Sequence, residues 1–271
     1  ATTEIYTLSL HDALPIYAAF GYDYSNFTFI DAPDGVIVVD TGWFSGPMKK
    51  ALKEFREFSD KPVKALIYTH THSDHLGGAG HVLGKARDDV KIYAPKDWDV
   101  YLNYLGNIRQ PMITARGFAQ MGLLIPPEYN VGTGAGPRPD MSEAPQFVTP
   151  NSIISERQTI NIAGLDIEFI PTAGDLPEHM MIYIPEENIL LSGDIIGGMF
   201  PYIESARYEP TRNPKAMMGS IDLALSINAT HVVPGHGRLL IGKEDVQKNL
   251  IANRDVIQFF DNQVDRLINK I

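Results

Sequence analysis

The sequence predicts a layered α/β sandwich, and three observations predict it. Apolar, strand-like runs alternate with helical periodicity through residues 27–105, and a second series of strands begins at Ser152. Imidazole or carboxylate residues stand where several of these strands end, most densely in His70-Thr71-His72-Ser73-Asp74-His75.

Taken in order, Phe27-Thr28-Phe29-Ile30 alternates, Asp34-Gly35 supplies a tight turn, and residues 36–40 continue as a buried strand, which together make a hairpin. Asp40 ends that strand beside Thr41-Gly42, where a carboxylate more often accepts a hydrogen bond from a metal ligand than joins the ligands itself. Residues 47–58 have helical periodicity and open with proline, an acceptable first-turn residue. The apolar run 63–68 leads into the histidine cluster, 90–94 reads as another strand and 96–105 as a helix. Residues 106–150 differ, because Gly, Pro and Met accumulate at 122–127 and 132–137; they read as an insertion without secondary structure that covers the substrate. Beyond Ser152, residues 157–162 and 165–170 flank Ala163-Gly164 as a hairpin. Residues 180–184 and 189–191 add two strands, the second running into Ser192-Gly193-Asp194. Val232-Val233 ends at Pro234-Gly235-His236-Gly237, and His231 before it reads as a packed or surface histidine. Residues 249–270 place Leu250, Ile257, Phe260, Val264 and Leu267 at helical spacing.

The spacing of the central cluster has a mechanical meaning. His70 and His72 alternate along an extended segment and can face one ion together. Asp74 and His75 lie where the chain turns into Gly77-Gly78-Ala79-Gly80. Two pairs of ligands thus reach two adjacent ions, and neutral imidazole with carboxylate suits zinc. Two such ions can share and deprotonate one water, which is the hydrolytic use of such a site.

The cluster resembles the signature of the metallo-β-lactamase-fold hydrolases. The resemblance implies a four-layer αββα sandwich whose remaining ligands come from loops at the ends of later strands. On that pattern Asp194 is the carboxylate bridging both ions and His236 is the last ligand. The position of Asp175 is normally a histidine, so either Asp175 binds the metal or His179 reaches in from one helical turn away, and both chemistries suit zinc. The resemblance favours Asp175, because the alkylsulfatase branch carries a carboxylate there in a stretch similar to residues 174–180. The implied shell is His70, His72 and Asp175 on one Zn2+ and Asp74, His75 and His236 on the other, with Asp194 between them. Asp74 and Asp194 are then the catalytic carboxylates.

Further features resemble the alkylsulfatases. Residues 121–126 and 132–136 look like that branch's Gly-Leu-Leu-Pro and Gly-Ala-Gly elements, and Arg207 and Arg212 stand where it has two arginines, the first of which contacts sulfate. Residues 246–271 resemble the helix leading to its dimerisation region, which implies homodimer formation. The resemblance covers residues 25–271, with 17–245 as the catalytic domain. It departs at residues 197–202, where the family carries histidine, asparagine and tyrosine, and at Asp175, one methylene shorter than glutamate. These departures bear on the substrate more than on the metals.

Two dications carry four positive charges, three carboxylates remove three, and a shared hydroxide removes the last. A sulfate ester therefore needs a separate cation on a chain whose formal charge is −10. Arg207, with a planar fork suited to oxyanions, is the first candidate and Arg212 the second, against the plainer role of surface ion pairs with Glu204 or Glu209. The resemblance implies hydrolysis of a small anionic ester, an alkyl sulfate, to alcohol and sulfate, with the insertion walling the alkyl chain. Lactonases, phosphotriesterases and β-lactamases share the scaffold, and a di-iron redox protein is a more distant alternative.

The acidic balance argues against nucleic-acid binding, and no apolar stretch reaches the length of a membrane span. The absence of cysteine excludes disulfides, thiolate ligands and cysteine nucleophiles, and leaves the compartment open, the bacterial periplasm included. Residues 5–16 resemble the translation of a sequencing adapter. On that reading residues 1–16 are not native, and the natural N-terminus, with any export signal, is missing.

Overall fold

Side chains of successive strand residues point to opposite faces, so an apolar strand supplies two layers at once. The structure, a computed structural model, describes residues 4–8, 15–86, 89–105, 110–129, 132–197 and 212–270. Its first sheet comprises β1 (Glu4–Leu8), β2 (Ile16–Phe20), β3 (Phe27–Ala32), β4 (Gly35–Val39), β5 (Val63–Ile67), β6 (Lys91–Pro95) and β7 (Ser152–Ile154), in the same order in space as in the chain. β1 to β4 form an antiparallel meander, and β4 to β7 run parallel. Parallel neighbours need crossovers. Helix α1 (Ser45–Phe55) makes the first, α2 (Ser73–Leu76) and α3 (Ala79–Leu83) the second, and α4 (Asp99–Leu105) with α5 (Gln110–Gln120) the third. The second sheet is built from β8 (Gln158–Ile162), β9 (Leu165–Thr172), β10 (His179–Ile184), β11 (Ile189–Gly193), β12 (His231–Pro234) and β13 (Leu240–Ile241), in the order β13-β12-β11-β10-β9-β8. Its parallel pair, β11 and β12, is joined through α6 (Pro214–Ile227), and α7 (Lys243–Ile268) follows β13.

Alternation along the strands separates three buried clusters. Ile30, Ile37 and Ile67 of the first sheet meet Phe169, Ile182 and Leu191 of the second. Their neighbours Phe29, Val38 and Leu66 face outward onto Met48, Phe55 and Leu83, with Phe29 and Phe55 stacked at 4.5 Å between centroids. On the far side Met181, Leu190 and Val232 pack under Met217, Ile221, Leu250 and Ile257 of α6 and α7. The layers therefore run helix, sheet, sheet, helix, the expected αββα sandwich.

The differences from expectation have local causes. The insertion is not without secondary structure: residues 110–120 form α5, with Ile113 and Gly117 buried on one face; Pro111 falls in its first turn, where proline is tolerated, and the dense run of Gly and Pro begins only at Gly122. Helix α6 was not expected; Asn213 caps it by accepting from the backbone N–H groups of Lys215 and Ala216, with Pro214 in the first turn. The C-terminal helix starts at Lys243, and its predicted apolar stripe packs only as far as Ile257, since Phe260, Val264 and Leu267 are exposed. The segment read as non-native contains β1, paired to β2, and its last residue, Ile16, is fully buried. No helix of the described residues is long and apolar enough to cross a membrane.

Candidate metal centre

β5 stops at Ile67, but the chain stays extended, Tyr68 N–H donating to Tyr93 and His70 bridging to His179. Helix α2 begins directly after His72, so the backbone turns between the two histidines and the Asp74-His75 pair. The glycines that follow permit this turn to sit against the loop after β4. A Cβ at Gly77 would lie 1.7 Å from the Trp43 carbonyl oxygen, and one at Gly78 would lie 2.4 Å from that of Thr41.

The other ligand-type residues arrive from the ends of β9, β11 and β12. One donor atom from each of His70, His72, Asp175 and Asp194 lies within 4.8 Å of the others, and Asp74, His75 and His236 form a second such group. His72 Nδ1 is 2.9 Å from Asp175 Oδ2, and His236 Nε2 is 3.1 Å from Asp74 Oδ2. Asp194 touches both groups, with Oδ2 3.7 Å from His70 Nε2 and 3.2 Å from His236 Nε2, and Oδ1 3.5 Å from His75 Nε2. All seven predicted ligand residues are thus brought together, with Asp194 grouped with His70, His72 and Asp175 and also within reach of His75 and His236.

His179 stands outside the two groups. Its Nε2 accepts the Asp194 backbone N–H at 3.0 Å, and its ring stacks on His70. Asp175 lies inside, where Arg212 Nη2 reaches its Oδ2 at 3.3 Å, both side chains being buried. Arg212 thus has a partner within the site, Asp175. Arg207, Glu204, Glu209 and most of the divergent segment 197–202 lie outside the described residues.

Hydrogen bonds aim the rings. Asp40 adopts a left-handed backbone, φ 55°, at the end of β4. Its Oδ2 takes His75 Nδ1 at 2.8 Å, and its two oxygens accept from Thr69 N–H and Oγ1 at 2.8 Å each. It supports a ligand without joining the groups, as the sequence reading expected. Tyr24, which nothing in the sequence singled out, accepts from His236 Nδ1 through its backbone carbonyl.

Clustered carboxylates dominate the electrostatics. Burial opposes charge on His75, but Asp194, Asp40 and Asp74 hold it protonated well above the usual range. Against the same penalty, Asp194 and Asp74 push His236 up to about 10. Burial also opposes charge on the carboxylates. His75 and His236 nevertheless hold Asp74 low, His236, His75 and His70 do so for Asp194, and His72, His70 and Arg212 for Asp175. Protons on imidazole here supply positive charge that dications can supply instead. The buried His75 Nε2 and Asp194 Oδ1 make no hydrogen bond to the described residues. A nitrogen and carboxylate donor set with such atoms fits divalent ions of the zinc type.

Among the described residues, two spaces adjoin the cluster. Tyr24, Gln120 and Arg212 line a small cavity together with His72, Asp74, Asp175, Asp194 and His236. Beside it a cavity of about 250 Å³ is walled by Trp43, Tyr101, Ile113, Phe118 and Met121, and also touches His72 and Asp74.

Comparison with known proteins agrees with this geometry. Residues 20–236 match the Metallo-beta-lactamase superfamily. A linear primary-alkylsulfatase of Pseudomonas sp. (strain ATCC 19151) is 31% identical over 246 residues, which cover 89% of this chain and 47% of that protein. An (R)-specific secondary-alkylsulfatase of Pseudomonas sp. is 27% identical over 275 residues, 96% of this chain and 41% of its own. The chain thus spans about half the length of these relatives or less. A solved double mutant of the sec-alkyl sulfatase PisA1 is 25% identical and superposes with a TM-score of 0.88, covering 99% of this chain and 43% of that one. On its fold, its residue clusters and these matches, the chain belongs to the metallo-β-lactamase superfamily.

Proposed function

We infer that the chain is a metal-dependent hydrolase that splits alkyl sulfate monoesters into alcohol and sulfate, using two Zn2+ ions held by His70, His72 and Asp175, by Asp74, His75 and His236, and jointly by Asp194. The observation that carries the sulfate assignment is Arg212, buried against Asp175 and lining the same cavity as the candidate ligands. Two dications, three carboxylates and a shared hydroxide are together neutral, so Arg212 supplies the positive charge that holds an anionic ester on an acidic chain. The similarity to two alkylsulfatases supports the same choice.

When bound, such ions supply a water of lowered pKa and stabilise charge on the departing oxygen. The protein's own part is orientation. Asp40 and the Tyr24 carbonyl turn the imidazoles of His75 and His236, Asp74 sits between those two rings, and Asp194 links the two ligand groups. Arg212 offers its guanidinium N–H groups to the sulfate oxygens, the role given in sequence first to Arg207. The alkyl chain lies in the 250 Å³ cavity against Trp43, Tyr101, Phe118 and Met121, so part of the 106–150 insertion becomes the apolar wall. Residues 17–245 form the catalytic unit.

The test is a substrate panel on one preparation: alkyl sulfates, aryl sulfates, phosphotriesters and lactones. Alkyl sulfates are expected to turn over with the highest kcat/KM. A preference for a lactone or phosphotriester would keep the metal cluster and remove the sulfate.

A further inference from the structure

Three consecutive residues with no role in the sequence reading, Tyr24, Ser25 and Asn26, each hold a different piece of one half of the candidate shell. The Tyr24 carbonyl takes His236 Nδ1 at 2.9 Å; a carbonyl only accepts, so the proton sits on Nδ1 and Nε2 is left to face a cation. Ser25 Oγ donates to the backbone carbonyl of Asp74. Asn26 donates its side-chain amide to the carbonyls of Pro234 and Gly237, at 2.9 Å each, and its backbone N–H to that of Gly235 at 2.7 Å. Three carbonyls on either side of His236 are thereby fixed.

Asp23 fastens this segment to the loop after β4. It is 1% exposed, and its carboxylate accepts the backbone N–H groups of Tyr24, Trp43 and Phe44 at 2.8, 2.7 and 3.1 Å. The same loop carries Thr41, whose N–H donates to the His75 carbonyl at 2.8 Å. Gly136 closes over the segment from the insertion, where a Cβ would lie 2.1 Å from the Tyr24 carbonyl oxygen. The other half of the shell has supports elsewhere: Thr69 Oγ1 lies 3.0 Å from His70 Nδ1, and Arg212 holds Asp175.

We propose that residues 23–26 are a positioning clamp for the cation site of Asp74, His75 and His236, and that they set its affinity separately from that of the His70, His72 and Asp175 site. The clamp rests on the two-cation reading above. Its physical basis is that groups behind the ligands fix ring tautomer and direction, and their loss weakens metal binding by roughly 10–100-fold.

The test is a Zn2+ titration of the metal-stripped full chain, read by calorimetry or chelator competition, with circular dichroism confirming the fold of each variant. Ser25→Ala and Asn26→Ala are expected to weaken one of two ions tenfold or more and leave the other within about threefold. Ser25→Thr, which keeps the hydroxyl, restores the weakened ion. Gly136→Ala, which presses on Tyr24 without removing any hydrogen-bonding group, reproduces the selective loss. A parent chain with two ions whose Ser25 and Asn26 variants lose both equally, or neither, overturns the clamp alone. A parent chain that binds no second Zn2+ removes the two-cation reading and the clamp with it.

Discussion

Asp175 and His179 are four residues apart, and the sequence left both open as the ligand. The structure separates them by what each ring or carboxylate faces. Asp175 meets His72 and Arg212, whereas His179 spends its Nε2 on the Asp194 backbone. Burial pushes the His179 imidazole down to about 4 from 6.5, so it is neutral in the folded chain, and nearby dications would disfavour its protonated form further. Because the unfolded chain binds this proton more readily, the associated stability is full above pH 6.5 and is lost as pH falls through about 4. His179→Gln, which keeps an acceptor for Asp194, is expected to lose about 3 kcal/mol less than the parent across that window in urea unfolding. Equal acid sensitivity of the two proteins contradicts a neutral His179. At Arg212 the expected effect is kinetic. Arg212→Ala raises KM for a sulfate monoester about 10–100-fold, from loss of a charge-assisted hydrogen bond worth roughly 1.5–3 kcal/mol. An equal rise on an uncharged ester or lactone would show that Arg212 serves the metal site and not the anion.

Elements that announce themselves by periodicity or by a dense motif were legible in the sequence. The hairpin of β3 and β4, the strand leading to His70, and the Gly-Asp and Gly-His strand endings all stand as read. Helix α5 was missed because Gly and Pro at 122–137 coloured the whole insertion, although its own window, 110–120, is helical. The 23–26 segment was missed for a different reason: its partners are distant in the chain, 49 residues away for Ser25 and more than two hundred for Tyr24 and Asn26, which leaves no local pattern. Arg212 was seen, but its pairing with Asp175 depends on tertiary packing of the start of α6 against the end of β9. Two substitutions test the elements. Gly77→Ala forces a Cβ into the Trp43 carbonyl and is expected to cost about 1–3 kcal/mol of stability through displacement of α2, measurable as a lower Tm; an unchanged Tm would mean the loop yields freely. Gly117→Leu, on the buried face of α5 and lining the tail cavity, is expected to lower kcat/KM for an eight-carbon sulfate by about tenfold while sparing a two-carbon one. Uniform loss at both lengths would place the alkyl chain elsewhere.

Over the whole molecule, the sandwich exists to bring residues from position 70 and position 236 to one place. Each sheet supplies ligand-type residues just past its strand ends, and the buried layer between the sheets fixes their separation. With no cation bound, three carboxylates and four imidazoles are crowded together at a cost in burial, so dications are expected to stabilise the fold as well as activate it. Chelation should therefore lower Tm, and returning zinc should restore it. The most direct measurement is sulfate release from an alkyl sulfate by the metal-stripped chain as Zn2+ is added back in counted equivalents. The rate is expected to climb until two equivalents per chain are bound and then level off. A chain fully active after stripping, or one that takes up both equivalents and releases no sulfate, contradicts the account.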